Sequence, residues 1–339
     1  MAILSGKVLI REIQRWLVRH HDGLCTMLDF KASKPISDSQ LRRLLTTVDT
    51  PQLQQFHCRY FGWSLALVAS GGWASIDGKE LRGTIEGVLG KKRGLCLVHL
   101  VSHQGISVAS DFYEGQKESE IVVVRKLLTT SNLSKTGVTL DALHCQTQTL
   151  ELVVNQEGVY VVEVKANQTQ LCADLTDHIA LCVPANSIQT YDKGHGRLEK
   201  RTYRFYDVSG VCFETRWEVA HIQRLVVVDR HFTQLKTGKI SQEQSFYISN
   251  SMTHSDQTLA DAIRGHWRIE SGHWIRDVTY GEDSIRCSNR PRMKILSLLL
   301  SVALSLTKQQ AFPNIKAFHE DANAKPMIIS ALLVHHKAP

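Results

Sequence analysis

The chain has 339 residues, 43% of them hydrophobic and 22% charged, the balance of an ordinary globular protein with length for one elaborated domain or two. Its formal net charge is +7 and its pI about 9.0, which tilts toward a polyanionic partner. No run of about 18 uninterrupted apolar residues is present, which excludes a membrane-spanning helix. Met1 to Trp16 carries Lys7, Arg11, Glu12 and Arg15 and lacks the apolar core and cleavage site of a secretory signal. The eight cysteines, at 25, 58, 96, 145, 172, 182, 212 and 287, form no CxxC pair. Their spacing excludes a zinc module or disulfide framework and predicts reduced, mostly buried thiols in a cytosolic protein.

Residues 1–60 read as helical. Ile10, Ile13, Trp16 and Leu17 recur at helical spacing. Ser37 or Ser39 is placed to cap a helix through Leu41, Leu44 and Leu45, and Asp49-Thr50-Pro51 breaks it and opens the next. From about residue 72 the pattern changes to strands: Trp73–Asp77, Leu95–Val101 and Ile106–Phe112. A helix over Lys117–Leu128 follows, then strand Gly137–Leu143, helix Gln146–Asn155 and strand Val159–Lys165. The order βββαβαβ is the connectivity of a ribonuclease-H-like core, α/β with a mixed sheet and flanking helices. In that order the first and fourth strands are neighbours.

Beyond Lys165 the alternation breaks. Asn167 is placed to cap a short helix through Leu171 and Leu175. The polar stretch Gln189–Arg201 reads as a connection, followed by β-type runs at Thr202–Val208, Val211–Trp217, Arg224–Asp229 and Ser245–Ile248. Helical patterning returns over Asp256–Thr279 and Met293–Leu306. The expected organisation is an N-terminal helical unit (1–65), the first part of the core (66–180), a β-rich insertion (181–252), completion of the core (253–310) and a tail (311–339).

Three acids stand against local hydrophobicity, where an unpartnered carboxylate is costly. Asp77 follows Trp-Ala-Ser-Ile, Asp141 follows Val-Thr-Leu, and Glu270 lies in a helical segment between Trp267 and Trp274. A helical wheel puts Ile263, Trp267, Glu270, Trp274, Asp277 and Val278 on one face and Arg264, Arg268 and Arg276 on the other, so Glu270 is expected to point inward with two core tryptophans. Either a cation or an Arg or His partner would then neutralise it. Two strand carboxylates plus one helix carboxylate make an oxygen-rich site of the kind Mg²⁺ or Mn²⁺ prefers. Two such ions support in-line phosphoryl transfer without a protein nucleophile.

The strings Ile76-Asp77-Gly78-Lys79-Glu80-Leu81-Arg82-Gly83 and Thr139-Leu140-Asp141-Ala142-Leu143-His144-Cys145-Gln146 resemble the first two acidic motifs of bacterial insertion-sequence DDE transposases, the group that includes the H-repeat-associated proteins. The resemblance continues in Lys165-Ala166-Asn167-Gln168 and in Gly194-His195-Gly196-Arg197-Leu198-Glu199-Lys200-Arg201. It is strongest in His266-Trp267-Arg268-Ile269-Glu270, His273-Trp274, Asp277-Val278 and Glu282-Asp283, and spans about residues 30–310. It implies a ribonuclease-H-like domain interrupted by a β-rich insertion, with Asp77, Asp141 and Glu270 as catalytic and metal-binding triad holding two Mg²⁺ or Mn²⁺ ions. The implied reaction is nicking at transposon ends followed by attack of the freed 3′-hydroxyl on target DNA. Double-stranded DNA is the implied partner, with a homodimer in the DNA complex and a cytoplasmic, nucleoid-associated location.

The sequence departs from that pattern at three places. Ser271 and Gly272 stand where Asn and Leu are common, and Arg276 stands where Leu commonly precedes the aspartate. Gly272 within a helix costs about 1 kcal/mol relative to Ala.

Basic residues around the acids are candidate DNA contacts: Lys79, Arg82, Lys165, His195, Arg197, Arg201 and His266. Lys79 meets a phosphate or balances charge, and Arg82, Lys91, Lys92 and Arg93 form either a DNA-facing strip or a solvated turn. Gly194–Arg201 reads as a basic, Gly-rich loop that either grips phosphates or faces solvent. Lys165 has a snorkelling alternative. No third soft ligand accompanies His144, His266 and His273, which are expected to be hydrogen-bonding histidines rather than zinc ligands. Asp283 is the rival to Glu270 as third acid.

Overall fold

Local rules explain the helices of the N-terminal segment. In α1 (Ile10–Arg19) the residues Ile10, Ile13 and Trp16 are buried on one face, as their spacing requires. After α2 (His21–Met27), Ser37 caps α3 (Asp38–Thr47), its hydroxyl accepting from Gln40 N while the Gln40 side chain accepts from Ser37 N. That reciprocal pair satisfies two otherwise orphaned donors. Asp49 then accepts from Gln52 N at 2.8 Å and opens α4 (Thr50–Val68).

The computed structural model describes residues 1–68, 72–85, 94–115, 117–194, 196–310, 312, 314–326 and 329. Strands β1 (Trp73–Leu81), β2 (Leu95–Ser102) and β3 (Ser107–Glu114) precede α5 (Lys117–Thr130), β4 (Gly137–Leu140), α6 (Thr147–Asn155), β5 (Val159–Val164) and α7 (Thr169–Leu181). Then come β6 (Asn186–Gly194), β7 (Arg197–Asp207), β8 (Arg224–Gln234), β9 (Ile240–Ser249), α8 (Asp256–Trp274), α9 (Arg290–Lys308) and α10 (Ile315–Ala324). The βββαβαβ order is therefore present, and the fold is α/β with the connectivity of a ribonuclease-H-like core.

The chain divides into two compact units, the first comprising Met1–Ala66, Gly78–Val123 and Arg268–Pro339, the second Leu67–Asp77 and Val124–Trp267. In the first, β2 and β3 pair antiparallel, and α9 is the spine of the core, packing on α3 and β3. Met293, Leu298 and Leu300 of α9 are essentially inaccessible. Asn289 caps α9 through Arg292 N at 2.9 Å.

In the second unit β1 pairs parallel with β4, and β4 parallel with β5. β9 joins β5 antiparallel, and β8, β7 and β6 follow in antiparallel sequence. Trp73, Val161, Tyr203, Phe205, Val226 and Val228 bury against Leu259, Ala260, Ala262 and Ile263 of α8. Gly137, paired with Trp73 across the ladder, has a packing reason to be glycine: a Cβ there would lie 2.3 Å from the indole.

Two expectations for the insertion are corrected. The polar stretch Gln189–Arg201 is a β-hairpin, not a connection. Charge pairs across strands replace apolar alternation as its stabiliser: Arg201 with Asp192 at 2.6 Å and Arg230 with Glu199 at 2.9 Å. Val211–Trp217 is not a strand. It is irregular and leads into the 3-10 turn Thr215–Ala220, which buries Trp217. Asp256–Thr279 also divides, α8 ending at Trp274 and a π-helical turn running Ile275–Thr279. All eight cysteines are free, but only Cys96, Cys145 and Cys287 are buried, so the thiols are not mostly buried as expected. No helix among the described residues is long and apolar enough to cross a membrane.

Candidate active site

Asp77 and Asp141 are brought together by strand register. Ser75 is paired with Thr139 in the parallel β1–β4 ladder, and each aspartate lies two residues further along its own chain. Side chains two apart on a strand share a face. Ser75 Oγ and Thr139 Oγ1 share a hydrogen bond of 2.8 Å, which identifies that face and places both carboxylates beyond a buried hydroxyl pair. Asp77 is half-buried, and the Asp141 side chain is 41% exposed. β4 ends at Leu140, earlier than expected, because Asp141 accepts from Leu143 N at 3.1 Å and caps the 3-10 turn Ala142–His144.

That turn is braced from the end of β5. Asn167 donates to the Ala142 carbonyl at 2.7 Å and Gln168 to the Cys145 carbonyl at 2.7 Å. The Asn-Gln pair of the third motif thus holds the loop that bears Asp141, a positioning role that sequence reading assigned only to a helix cap. His266 lies on the same hydroxyl pair, its Nδ1 3.0 Å from Thr139 Oγ1. Burial pushes its pKa below the ordinary histidine range, against the opposing pull of the Asp141 carboxylate.

The candidate cations divide sharply. Lys79 is buried and ion-paired to Asp277, to Asp283 at 3.3 Å and to Glu282 at 3.8 Å. Of its two expected roles, the structure shows charge balance. Arg201 is largely buried and paired with Asp192 and Glu199. Arg82, by contrast, has a 77% exposed side chain, with its Nε 3.7 Å from the Asp283 carboxylate. Lys165 is also exposed, leaning on Glu163 at 2.8 Å. Arg197 is exposed on the β6–β7 hairpin with its guanidinium 5.7 Å from the Phe232 ring. His195, Lys91, Lys92 and Arg93 lie outside the described residues.

Around Glu270 the expected helix face holds for Ile263, which is buried, and for Arg264 and Arg268, which are exposed, but not for Glu270, the tryptophans or Arg276. Glu270 is exposed, and Trp267 and Trp274 are 45% and 59% exposed rather than core. The buried stripe is Leu259, Ala262, Ile263, Ile269 and Arg276, spaced for a helix face; sequence reading was drawn to the larger tryptophans instead. Arg276, expected on the outer face, is 1% exposed. It forks onto Glu282 at 2.8 and 2.5 Å and also donates to Ser297 and Ser301 hydroxyls. This network, with Lys79, Asp277 and Asp283, was missed. The available signal was its density of acids (277, 282, 283) just after an apolar helix. Burial raises the Asp277 pKa, with the Lys79 ammonium pulling the other way. Asp283, the rival third acid, accepts from Lys79 and from Arg82 N at 3.2 Å, so it is occupied with holding the strand.

The three departures from the family pattern, Ser271, Gly272 and Arg276, all line one cavity of about 280 Å³ in the first unit. His99 and His273 also line it, 3.4 Å apart. Burial and the Arg276 charge push the His273 pKa down to about 3 and hold His99 well below its ordinary value.

Among the described residues no group of three His, Cys, Asp or Glu is gathered as a metal-holding set. The donor chemistry of the aspartate pair nonetheless fits Mg²⁺ or Mn²⁺: two hard carboxylates, neither of them fully buried. His266 is kept on Thr139 as a hydrogen-bonding group, as expected.

Comparison with known proteins gives the family. The sequence model "Transposase DDE domain" matches residues 74–306, more than half of the chain and inclusive of Asp77, Asp141 and Glu270. The chain is 27% identical over 317 residues to "Putative transposase YncI" of Escherichia coli O157:H7, covering 91% of this chain and 79% of that one. It is 26% identical over 326 residues to "H repeat-associated putative transposase YhhI" of Escherichia coli strain K12, covering 92% and 83%. The chain belongs to the DDE transposase family, of the H-repeat type, whose enzymes cleave and transfer DNA.

Proposed function

We propose that this transposase cleaves DNA at the ends of its own element and joins the freed 3′ ends to target DNA, with Asp77, Asp141 and Glu270 as its catalytic acids. The observation that carries the reading is the register of β1 and β4, which sets Asp77 and Asp141 on one face beyond the Ser75–Thr139 pair. Two Mg²⁺ or Mn²⁺ ions held by these three carboxylates would supply Lewis-acid activation of the attacking oxygen and stabilisation of the leaving one.

The chain's own residues do the rest. The Ser75–Thr139 bond and the Asn167 and Gln168 braces hold the two aspartates before substrate arrives, so that little reorganisation is needed when it does. His266, kept on Thr139, fills the space beside Asp141 without adding a charge. Arg82, Lys165 and Arg197 are exposed and would contact phosphates, fixing the duplex without reading its sequence. His195 belongs to the same proposed strip. Two ends must be held at once for transposition, so the DNA complex would contain at least a homodimer, acting in the cytoplasm at the nucleoid.

The test is Mg²⁺-dependent cleavage of a labelled duplex carrying the element's own end, wild type against Asp141→Asn. Nicks and joined products from wild type alone are expected. Silence from a wild-type protein that is folded and binds the duplex would overturn the catalytic reading. Nicks without joined products would remove strand transfer from it.

A further inference from the structure

We propose that the cavity beside α8 in the first unit is a binding site for a phosphate group. Its walls come from β2, the β2–β3 turn, α8 and α9, and its lining includes Arg268, Lys308, His99, His273 and Ser107. No Asp or Glu lines it among the described residues. Arg276, at its floor, is already matched by Glu282 through two short hydrogen bonds. The charges presented to the cavity are therefore those of Arg268 and Lys308, both exposed side chains. A concave site with cationic lining and no carboxylate selects an anion.

Geometry narrows the anion. Arg268 donates to the His103 carbonyl, which fixes its guanidinium at the β2–β3 turn. A planar fork held in one place suits an oxyanion with several acceptor oxygens. Ser107 is 6% exposed and its Oγ has no hydrogen-bond partner among the described residues, although the backbone N–H of the same residue is bonded to Ser305 at 3.0 Å. A buried hydroxyl without a partner is costly unless a ligand or water supplies one. The volume of about 280 Å³ holds a phosphate group with several waters, a water's share of the liquid being about 30 Å³. Gly272 lines the cavity and a Cβ there would meet nothing within 4 Å, so a larger side chain at 272 displaces no neighbour at its first carbon.

The phosphate has two sources, free inorganic phosphate or a DNA backbone, and two readouts separate them. The first is the thermal transition of the full-length protein titrated with inorganic phosphate against chloride at matched ionic strength. The second is the salt dependence of duplex binding. Both are run on wild type, Lys308→Gln and Gly272→Leu. Free phosphate as ligand predicts a saturable rise in Tm for wild type, an apparent affinity at least about tenfold weaker in both variants, and an unchanged salt slope. A DNA phosphate as ligand predicts a slope reduced by about one in Lys308→Gln and weaker duplex binding by Gly272→Leu. Wild-type behaviour of Lys308→Gln in both readouts overturns the proposal. Lys308 is exposed, so that variant carries the test even where Gly272→Leu fails to fold. Neither readout involves cleavage, so loss of the catalytic reading leaves this one standing.

Discussion

The molecule holds two sets of acids that a sequence lists side by side and a fold treats in opposite ways. In the second unit, Asp77 lies within β1 and Asp141 just past the end of β4, both partly open to solvent, with hydroxyls behind them. In the first unit, Asp277, Glu282 and Asp283 close around Lys79 and Arg276, and Glu282 is wholly buried. A carboxylate whose acceptor sites are spent on buried cations is structural. One that keeps solvent-facing oxygens at a fixed position is available for a metal and a phosphate. Acid identity is therefore a poor guide to function here, and exposure is a better one.

The widest separation between the two sets is expected in activity. Asp77→Asn and Asp141→Asn should each lower cleavage by more than about a hundredfold, beyond the range typical of groups that only support metal ligands, with little change in the unfolding transition. Asp283→Asn should do the reverse, and comparable activity loss per folded molecule in that variant would break the distinction. Next in size is Glu282→Gln, which leaves the Arg276 guanidinium buried without its counter-ion. Destabilisation of about 3–5 kcal/mol is expected by chemical denaturation, and a loss below about 1 kcal/mol would show that the network is not holding the first unit.

Between these lies the support for Asp141. Asn167→Ala should reduce cleavage by about 10- to 100-fold and raise the metal concentration needed for half-maximal rate, without moving the denaturation midpoint far. A pure stability defect would reassign Asn167 to the fold. A smaller effect belongs to pH. Burial pushes His57 down to about 4 and His273 to about 3. These imidazoles stay neutral in the folded state while the unfolded chain protonates near 6.5. The unfolded state then binds more protons, so stability is intact above about pH 6.5 and falls progressively toward pH 3 to 4. Denaturant midpoints measured between pH 7.5 and 5 should decline, and less steeply in His57→Gln. The smallest expected change is in DNA affinity: Arg82→Gln or Arg197→Gln should each reduce the salt slope of duplex binding by about one, whereas Arg201→Gln should act mainly through stability because its charge is already paired.

Much of the fold was legible because local chemistry repeats along it. The Ser37 cap, the α1 stripe and the apolar run of β2 each depend on neighbours a few residues away. The β6–β7 hairpin was not legible, since its strands are stabilised by charge pairs between residues that alternate no hydrophobicity. The outward tryptophans of α8 were misread for a related reason: aromatic size suggests burial, but the face of a helix is chosen by what packs on it, here Leu259, Ala262 and Ile263.

By itself the sequence determined the βββαβαβ order of the core and the family, because these follow from residue type and short-range spacing. Tertiary structure alone decided which carboxylates are neutralised, that Lys79 and Arg201 are spent internally, and that Ser271, Gly272 and Arg276 converge on one cavity. Those outcomes depend on distances between segments as far apart as Lys79 and Asp283. Electrostatic compensation acts over a few ångströms of space, whatever the separation along the chain.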